Sequence, residues 1–487
     1  MTSLAIASAA PRIVVGRIVR AAAVAAAGLG ALAATTGWTL DQRLVVAGLA
    51  AATIAWIATR VDDAVVALAA MVGLALVGAI PVDAAFGALG DPTIWLLVGS
   101  CMLAAGLTSS GVAERAAVAL VGRARTVRGL WHRTTIALVL TTFAVPATSG
   151  RAALAMPVFR SIALALPTAH QRALSLLFPA VILLSAFASI LGAGAHLVAA
   201  SLVEAATGTT ISFLWWLLLG APVAILTCVA ATEIVLLGWL TRAERAIPVA
   251  HVAAAVRDAS HRHGRSMSAA GVRALALLAL VIALWLSEPL HGIHPALVAM
   301  TGGVAAVLPV VGTTTPRDAF AAVPWSLLVF LAATLALGTA LVTTGAADRI
   351  AQASLGALGG AHPALVLVAI VAASAAAHLV VQSRTARATV LLPIVLVVAL
   401  GAGINPVSAA LASTAAAGFC LTLTSSAKPV AMFASVPGVA TFDRASLVAL
   451  AAATAPIVVG VVLLAAVWLW PALGVPLETP VALRGTR

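Results

Sequence analysis

Apolar runs of about twenty residues, the length that spans a bilayer core as a helix, follow one another along almost the whole chain. Each is bounded by charge, proline or glycine. Only 9% of the 487 residues are charged and 63% are hydrophobic, whereas a soluble domain carries about a quarter charged residues. The fold class that follows is an all-α integral membrane protein, a single membrane domain.

The runs predict helices near 20–37, 44–60, 64–82, 91–111, 174–206, 211–240, 274–288, 294–311, 324–345, 407–437 and 445–471. Two further apolar stretches are broken in the middle: 134–166 at Thr148–Arg151, and 361–402 at Gln382–Arg387. Read as re-entrant hairpins, they leave about eleven transmembrane helices. Arg12, Arg17 and Arg20 precede the apolar Ala21–Ala34, which reads as a first transmembrane helix rather than a secretory signal. With the N-terminus cytoplasmic, Arg43, Arg349, Arg484 and Arg487 fall outside and the other loop arginines inside. That bias accounts for the net charge of +12 without nucleic acid, and it fits a plasma (inner) membrane. The His261-Arg262-His263 cluster reads as a solvated loop. Cys101, Cys228 and Cys420 lie in apolar stretches and suggest no disulfide framework.

An internal repeat is visible. Gly111-Val-Ala-Glu-Arg115 matches Gly345-Ala-Ala-Asp-Arg349 at an offset of 234, and Ser149–Pro157 matches Thr385–Pro393 at 236. Repeat one covers about 44–240, a cytoplasmic linker about 241–273, and repeat two about 274–471. An odd number of spans separates the copies, so they are inverted. Inverted repeats with broken helices mark secondary transporters, whose sites sit where the breaks meet. Two more breaks pair up: Gly192-Ala-Gly194-Ala-His196, and Thr424-Ser425-Ser426-Ala427-Lys428-Pro429. At an offset of 232, His196 matches Lys428, the only lysine. Unwound backbone at membrane depth needs protein or a watery cavity around it, so the four breaks predict one shared cavity.

Arg151, Arg384, Arg387 and Lys428 remain at membrane depth, at about 2.5–3.5 kcal/mol each on insertion scales. Glu233 is the clearest acid inside a span, a counter-ion or a proton site; Glu204 lies nearer a helix end. Arg151 and Arg387 open the returning hairpin helices, where the helix terminus is already positive. A bound oxyanion, gripped bidentately, would reconcile these charges. The alternative is that the arginines bond backbone carbonyls freed by the breaks. The predicted substrate-binding residues are Thr148, Ser149, Gly150, Arg151, Ser383, Arg384, Thr385 and Arg387. The predicted helix-break or coupling residues are Gly192, Gly194, His196, Glu233, Ser425, Ser426 and Lys428. His378 reads as a satisfied core histidine. No metal-ligand spacing or nucleophile–base set rises above chance, so no metal, cofactor or enzyme activity is expected.

From about Leu40 onward the chain resembles the divalent anion/sodium symporter family of dicarboxylate and sulfate transporters. The resemblance rests on PTIWLLVGSCMLAAGLTSSGVAER (92–115), the hairpin ending at Met156-Pro157, ISFLWW (211–216) and QSRTARATVLLPIV (382–395). It implies eleven spans, two re-entrant hairpins, a homodimer, and a transport domain that slides as an elevator. It also implies substrate carboxylates at the hairpin tips and sodium on oxygens of the tips and breaks. The tips depart from the family's Ser-Asn-Thr-Ala-Thr: Ala147–Arg151 and Ser383–Arg387 stand there, with Thr148 and Arg384 for asparagine and Arg151 and Arg387 for the last threonine. His196 and Lys428 replace asparagines of the breaks. Cations repel sodium, so transport is expected to be sodium-independent, by exchange or proton linkage. The alternatives are a sodium-coupled symporter, an anion channel, or a membrane anion receptor that does not transport.

Overall fold

The computed structural model describes residues 3–59, 61–250, 252, 268–358 and 362–478; the His261–His263 segment and most of the linker lie outside them. The described residues are nearly all helical, without a named strand. Eight helices among them are long and apolar enough to cross a membrane, and five shorter apolar helices accompany these.

The first half runs α1 (Ser3–Ala34), α2 (Leu40–Ala58), α3 (Asp63–Leu76), α4 (Pro92–Ser109), α5 (Val127–Ala144), α6 (Thr148–Leu164), α7 (Thr168–Ser185), α8 (Gly194–Thr207) and α9 (Phe213–Trp239). The second half repeats the order after α1: α10 (Ala269–Leu286), α11 (Pro295–Val307), α12 (Trp325–Thr343), α13 (Pro363–Ala376), α14 (Arg384–Gly401), α15 (Pro406–Ala417), α16 (Lys428–Ala434) and α17 (Arg444–Leu464). Helices α5/α6 and α13/α14 are the two hairpins. Helices α7/α8 and α15/α16 are single passages interrupted in the middle. The order accommodates eleven passages and two hairpins.

Local chemistry sets these boundaries. Asp62, Asp91, Thr126, Ser383 and Asn405 cap the helices they precede through side-chain oxygens. Proline opens α4, α11, α13 and α15, where its missing N–H costs nothing. Gly111 and Gly345, 234 residues apart, both stand in the left-handed region at φ 67 and 72. A Cβ would strain that conformation, so the matched glycines are a backbone requirement of the repeat.

Two bodies of packing follow. Helices α2, α3 and α12 share a core built on Trp56, Met71, Phe330 and Leu337. Helices α4 and α11 cross so closely that a Cβ on Gly99 would lie 2.5 Å from the Ala299 backbone, the small-residue contact that membrane helices use in place of hydrophobic driving force. Most of the hairpins and broken helices share the other, larger core with α4 and α11, while Val381 and Ala386 at the second hairpin tip pack into the core of α2, α3 and α12. There the halves interlock: α6 packs on α7 and α16, while α14 packs on α15 and α8. Phe159, Phe178 and Phe433 tie α6, α7 and α16 together, with ring centroids 5.0 to 5.4 Å apart. Each hairpin therefore rests on a broken helix from the opposite repeat, which brings all four breaks to one place.

Candidate functional site

That place is a cavity of about 350 Å³. One hairpin tip supplies Ala147, Thr148 and Ser149, and the other supplies Gln382, Ser383, Arg384 and Thr385. The breaks add Leu183, Ala193 and Gly194 on one side and Ser426, Ala427, Lys428 and Pro429 on the other. The remaining wall comes from the second core: Asp62, Asp63 and Ala64 at the start of α3, and Pro324, Ser326, Leu327 and Phe330 around the start of α12. The shared cavity expected from the four breaks is present.

The backbone of the two breaks is matched almost angle for angle. Ala193 has φ −157 and ψ 149; Ala427, 234 residues on, has φ −158 and ψ 146. A short 3-10 turn precedes each, at 190–192 and 424–426. The true offset is therefore 234 rather than 232. Lys428 corresponds to Gly194, the first residue of α8, and His196 is not its counterpart. His196 instead sits one turn behind the break, buried, with Nδ1 2.9 Å from the Ser189 carbonyl and its ring stacked on Trp216. It does not line the cavity.

The arginines divide in a way the sequence reading did not separate. Arg384, at the tip of α14, lines the cavity. Its Nη2 donates to the carbonyls of Gly418 at 2.7 Å and Leu183 at 3.2 Å, which belong to the two opposite breaks. Its Nη1 is shielded from solvent and has no partner. Arg151 and Arg387 lie three residues further along their helices, one turn beneath the tips, and both are fully buried; neither lines the cavity. Arg151 is saturated. It donates to Thr141 Oγ1 at 3.1 Å, the Ile182 carbonyl at 3.0 Å, the Leu138 carbonyl at 2.8 Å and Ser185 Oγ at 2.6 Å. Ile182 is in the last turn of α7, where carbonyls lose their helical partners. The two backbone acceptors of Arg151 are Ile182, at the break, and Leu138, within α5. Arg387 reaches Cys420 Sγ at 2.8 Å, and its Nε and Nη1 have no partner.

Of the other predicted residues, Gly150, Gly192 and Ser425 are not among the lining residues, while Ser426 is. Glu233 is far from the breaks. Its Oε1 lies 2.7 Å from Arg128 Nη2 and 2.8 Å from His132 Nε2, both on α5, so it clamps the root of the first hairpin. These groups are partly exposed, so the clamp contributes about 1 kcal/mol or less. Glu233→Gln should lower the melting temperature slightly and leave transport intact; abolished transport at unchanged melting would make Glu233 a proton site instead. His378 is satisfied as expected, between Ala375 O and Thr422 Oγ1. Asp62 and Asp63 were missed. The sequence shows only two acids opening a helix, an ordinary capping pattern, and Ser326, which donates to Asp62 at 3.3 Å, is 264 residues away.

A second, smaller cavity of about 200 Å³ lies between α4, α8 and the α10–α11 connection, lined among others by Asp91, Ser201, Glu204, Glu288 and His294. Burial pushes the Glu288 carboxyl above its ordinary pKa, and the nearby His294 and His291 pull it back. No group of three or more metal-ligating side chains was found among the described residues.

Apolar passages, two hairpins ending inside the protein and interrupted helices around a polar cavity define a multi-pass membrane transporter, not an enzyme. The chain belongs to the citrate transporter family (CitMHS), whose pattern matches residues 53–416 and 282–479. It is 28% identical over 400 residues to a membrane protein of Cupriavidus necator, covering 74% of each chain. In fold it is similar to the YdaH transporter of Alcanivorax borkumensis, at 17% identity and TM-score 0.52, covering 81% of this chain and 89% of that one. It is also similar to MtrF of Neisseria gonorrhoeae, of a class of antimetabolite efflux pumps, at 11% identity and TM-score 0.59, covering 91% and 98%. Such low identities speak to the fold alone.

Proposed function

We propose that this chain is a secondary carrier of a small carboxylate anion, with citrate and dicarboxylates ahead of sulfate. The observation that carries this reading is Arg384, a cation at a hairpin tip that lines a polar cavity together with Lys428. A bidentate carboxylate is the partner such a guanidinium selects. Thr148, Ser149, Ser383 and Thr385 supply hydroxyls around it, and Lys428 a second positive charge. Arg151 and Arg387 hold the returning helices in position from beneath. Gly194 and Ser426 let the breaks approach the anion.

The rest of the proposal follows from topology and family. The protein resides in the inner membrane with a cytoplasmic N-terminus and works as a homodimer. Repeat one (about 44–240) and repeat two (about 274–471) each contribute a hairpin and a broken helix to a transport unit that slides against α2, α3, α4, α11 and α12. Positive-inside topology puts the α2–α3 connection on the cytoplasmic face, so the cavity here is inward-facing.

Coupling is sodium-independent in this reading. A fixed cation about 4 Å away repels sodium by roughly 4 kcal/mol at an intermediate dielectric, and two such cations line the cavity. The sodium-coupled alternative draws on the Asp62 and Asp63 oxygens as ligands. Uptake of labelled citrate, succinate and sulfate into proteoliposomes, with sodium or with potassium, separates them. We expect saturable carboxylate uptake at equal rates in both salts. Strong sodium stimulation would overturn the coupling, and no saturable uptake of any of the three would overturn the substrate class.

A further inference from the structure

The transport cavity is walled by charges of both signs that belong to different helices. Arg384 and Lys428 are on the hairpin and broken helix; Asp62 and Asp63 open α3, whose core with α12 also takes in Val381 and Ala386 of the second hairpin. Asp62 is held in place. Asp62 accepts from the Ala64 N–H at 3.0 Å and from Ser326 Oγ at 3.3 Å, so it is pinned to its own helix and to α12. Asp63 lines the same cavity as Ser383, Arg384 and Lys428. Ser383 caps α14 and immediately precedes Arg384.

We infer that Asp62 and Asp63 are a latch: a built-in carboxylate pair that faces the cationic site when it is empty and ties the transport unit to the stationary helices. The inference rests on the carrier reading above. An incoming anion neutralises Arg384 and Lys428 and places its own negative charge opposite Asp62 and Asp63. The attraction across the cavity is then cancelled, and the loaded unit is released. A ligand shifts a conformational equilibrium only through its different interaction with the two states; here the difference is the attraction between α3 and the hairpin, present when the site is empty and lost when it is filled. The latch makes the empty carrier slow to move and the loaded carrier fast, which is the behaviour of an obligatory exchanger. It also keeps cations from crossing the dry barrier unaccompanied.

The test is the ratio of exchange to net flux of labelled citrate, succinate and sulfate in proteoliposomes, measured with preloaded and with empty lumens. The wild-type protein should exchange about tenfold faster than it carries net flux, and the Asp62→Asn/Asp63→Asn double variant should approach a ratio of about one. Asparagine caps a helix as well as aspartate does, so the fold should persist, checked by a monodisperse elution profile. Because the like-charge repulsion on the substrate is gone, the KM of the variant should fall rather than rise. Asp63→Glu, which keeps the charge, should retain the wild-type ratio. A merely structural role for the acids would depress both fluxes together and leave the ratio alone. An unchanged ratio in the double variant, with substrate exchange intact, would overturn the latch and leave the carrier reading standing. No exchange of any of the three anions by the wild-type protein would overturn the carrier reading and the latch with it.

Discussion

Arg384→Gln should abolish anion-dependent stabilisation of the purified protein and anion uptake together, while the melting temperature without anion changes little. The side chain reaches the cavity, and one of its nitrogens has no protein partner to lose. Its two bonds to protein go to the carbonyls of Leu183 and Gly418, which the glutamine amide can still approach. What glutamine cannot supply is the charge and the planar fork. Removing one member of a desolvated, hydrogen-bonded charge pair costs about 2–5 kcal/mol of binding, or on the order of a hundredfold in affinity. Arg384→Lys should fall between, because it keeps the charge and loses the bidentate geometry. A thermal-shift titration with citrate and succinate reads both variants. An undiminished shift in Arg384→Gln would remove the residue on which the functional proposal stands.

Arg151→Met should behave in the opposite way. Here the loss is of fold: the Leu138 and Ile182 carbonyls and the Thr141 and Ser185 hydroxyls lose a donor in a buried, lipid-surrounded core. The Leu138 carbonyl keeps Thr141 Oγ1 as a donor and Ser185 Oγ keeps Thr142 Oγ1; a buried acceptor left without a partner costs about 1–3 kcal/mol, so a loss of a few kcal/mol is expected. That should appear as a large drop in melting temperature, with poor recovery of monodisperse protein. Whatever protein survives should still be stabilised by anion, because the cavity wall is unchanged. The two variants form a crossed pair. Arg384→Gln loses the ligand response and keeps the fold; Arg151→Met loses stability and keeps the response. If Arg151→Met were stable and blind to anion, Arg151 would be a ligand residue after all.

Arg151 and Arg384 also show how much of the site was legible in the sequence. Both stand in a matched tip motif, so both could be found as rare intramembrane charges. Which of them meets the cavity depends on whether the residue lies at the tip or one turn beneath it, and on what occupies that depth. At Arg151 it is the end of α7, whose carbonyls are free because the helix breaks there. Likewise, the break motifs could be found but not aligned to the residue. Two residues of slippage paired His196 with Lys428, and only the repeated backbone angles at Ala193 and Ala427 reset it.

By itself the sequence determined the helical class, the eleven passages, the two hairpins and the inverted repeat. The physical reason is that lipid offers the backbone no partners: spans must be long and apolar, and every interruption must be written in glycine, proline, serine or charge. Only the tertiary structure decided which charges face one another. Asp62 and Asp63 are local helix-capping acids until α3 and α12 bring them across from Ser383, Arg384 and Lys428, more than 300 residues away. Contacts between bodies that pack through generic alanine, leucine and valine surfaces leave no periodicity to read, so the electrostatics of the site existed only once the chain had folded.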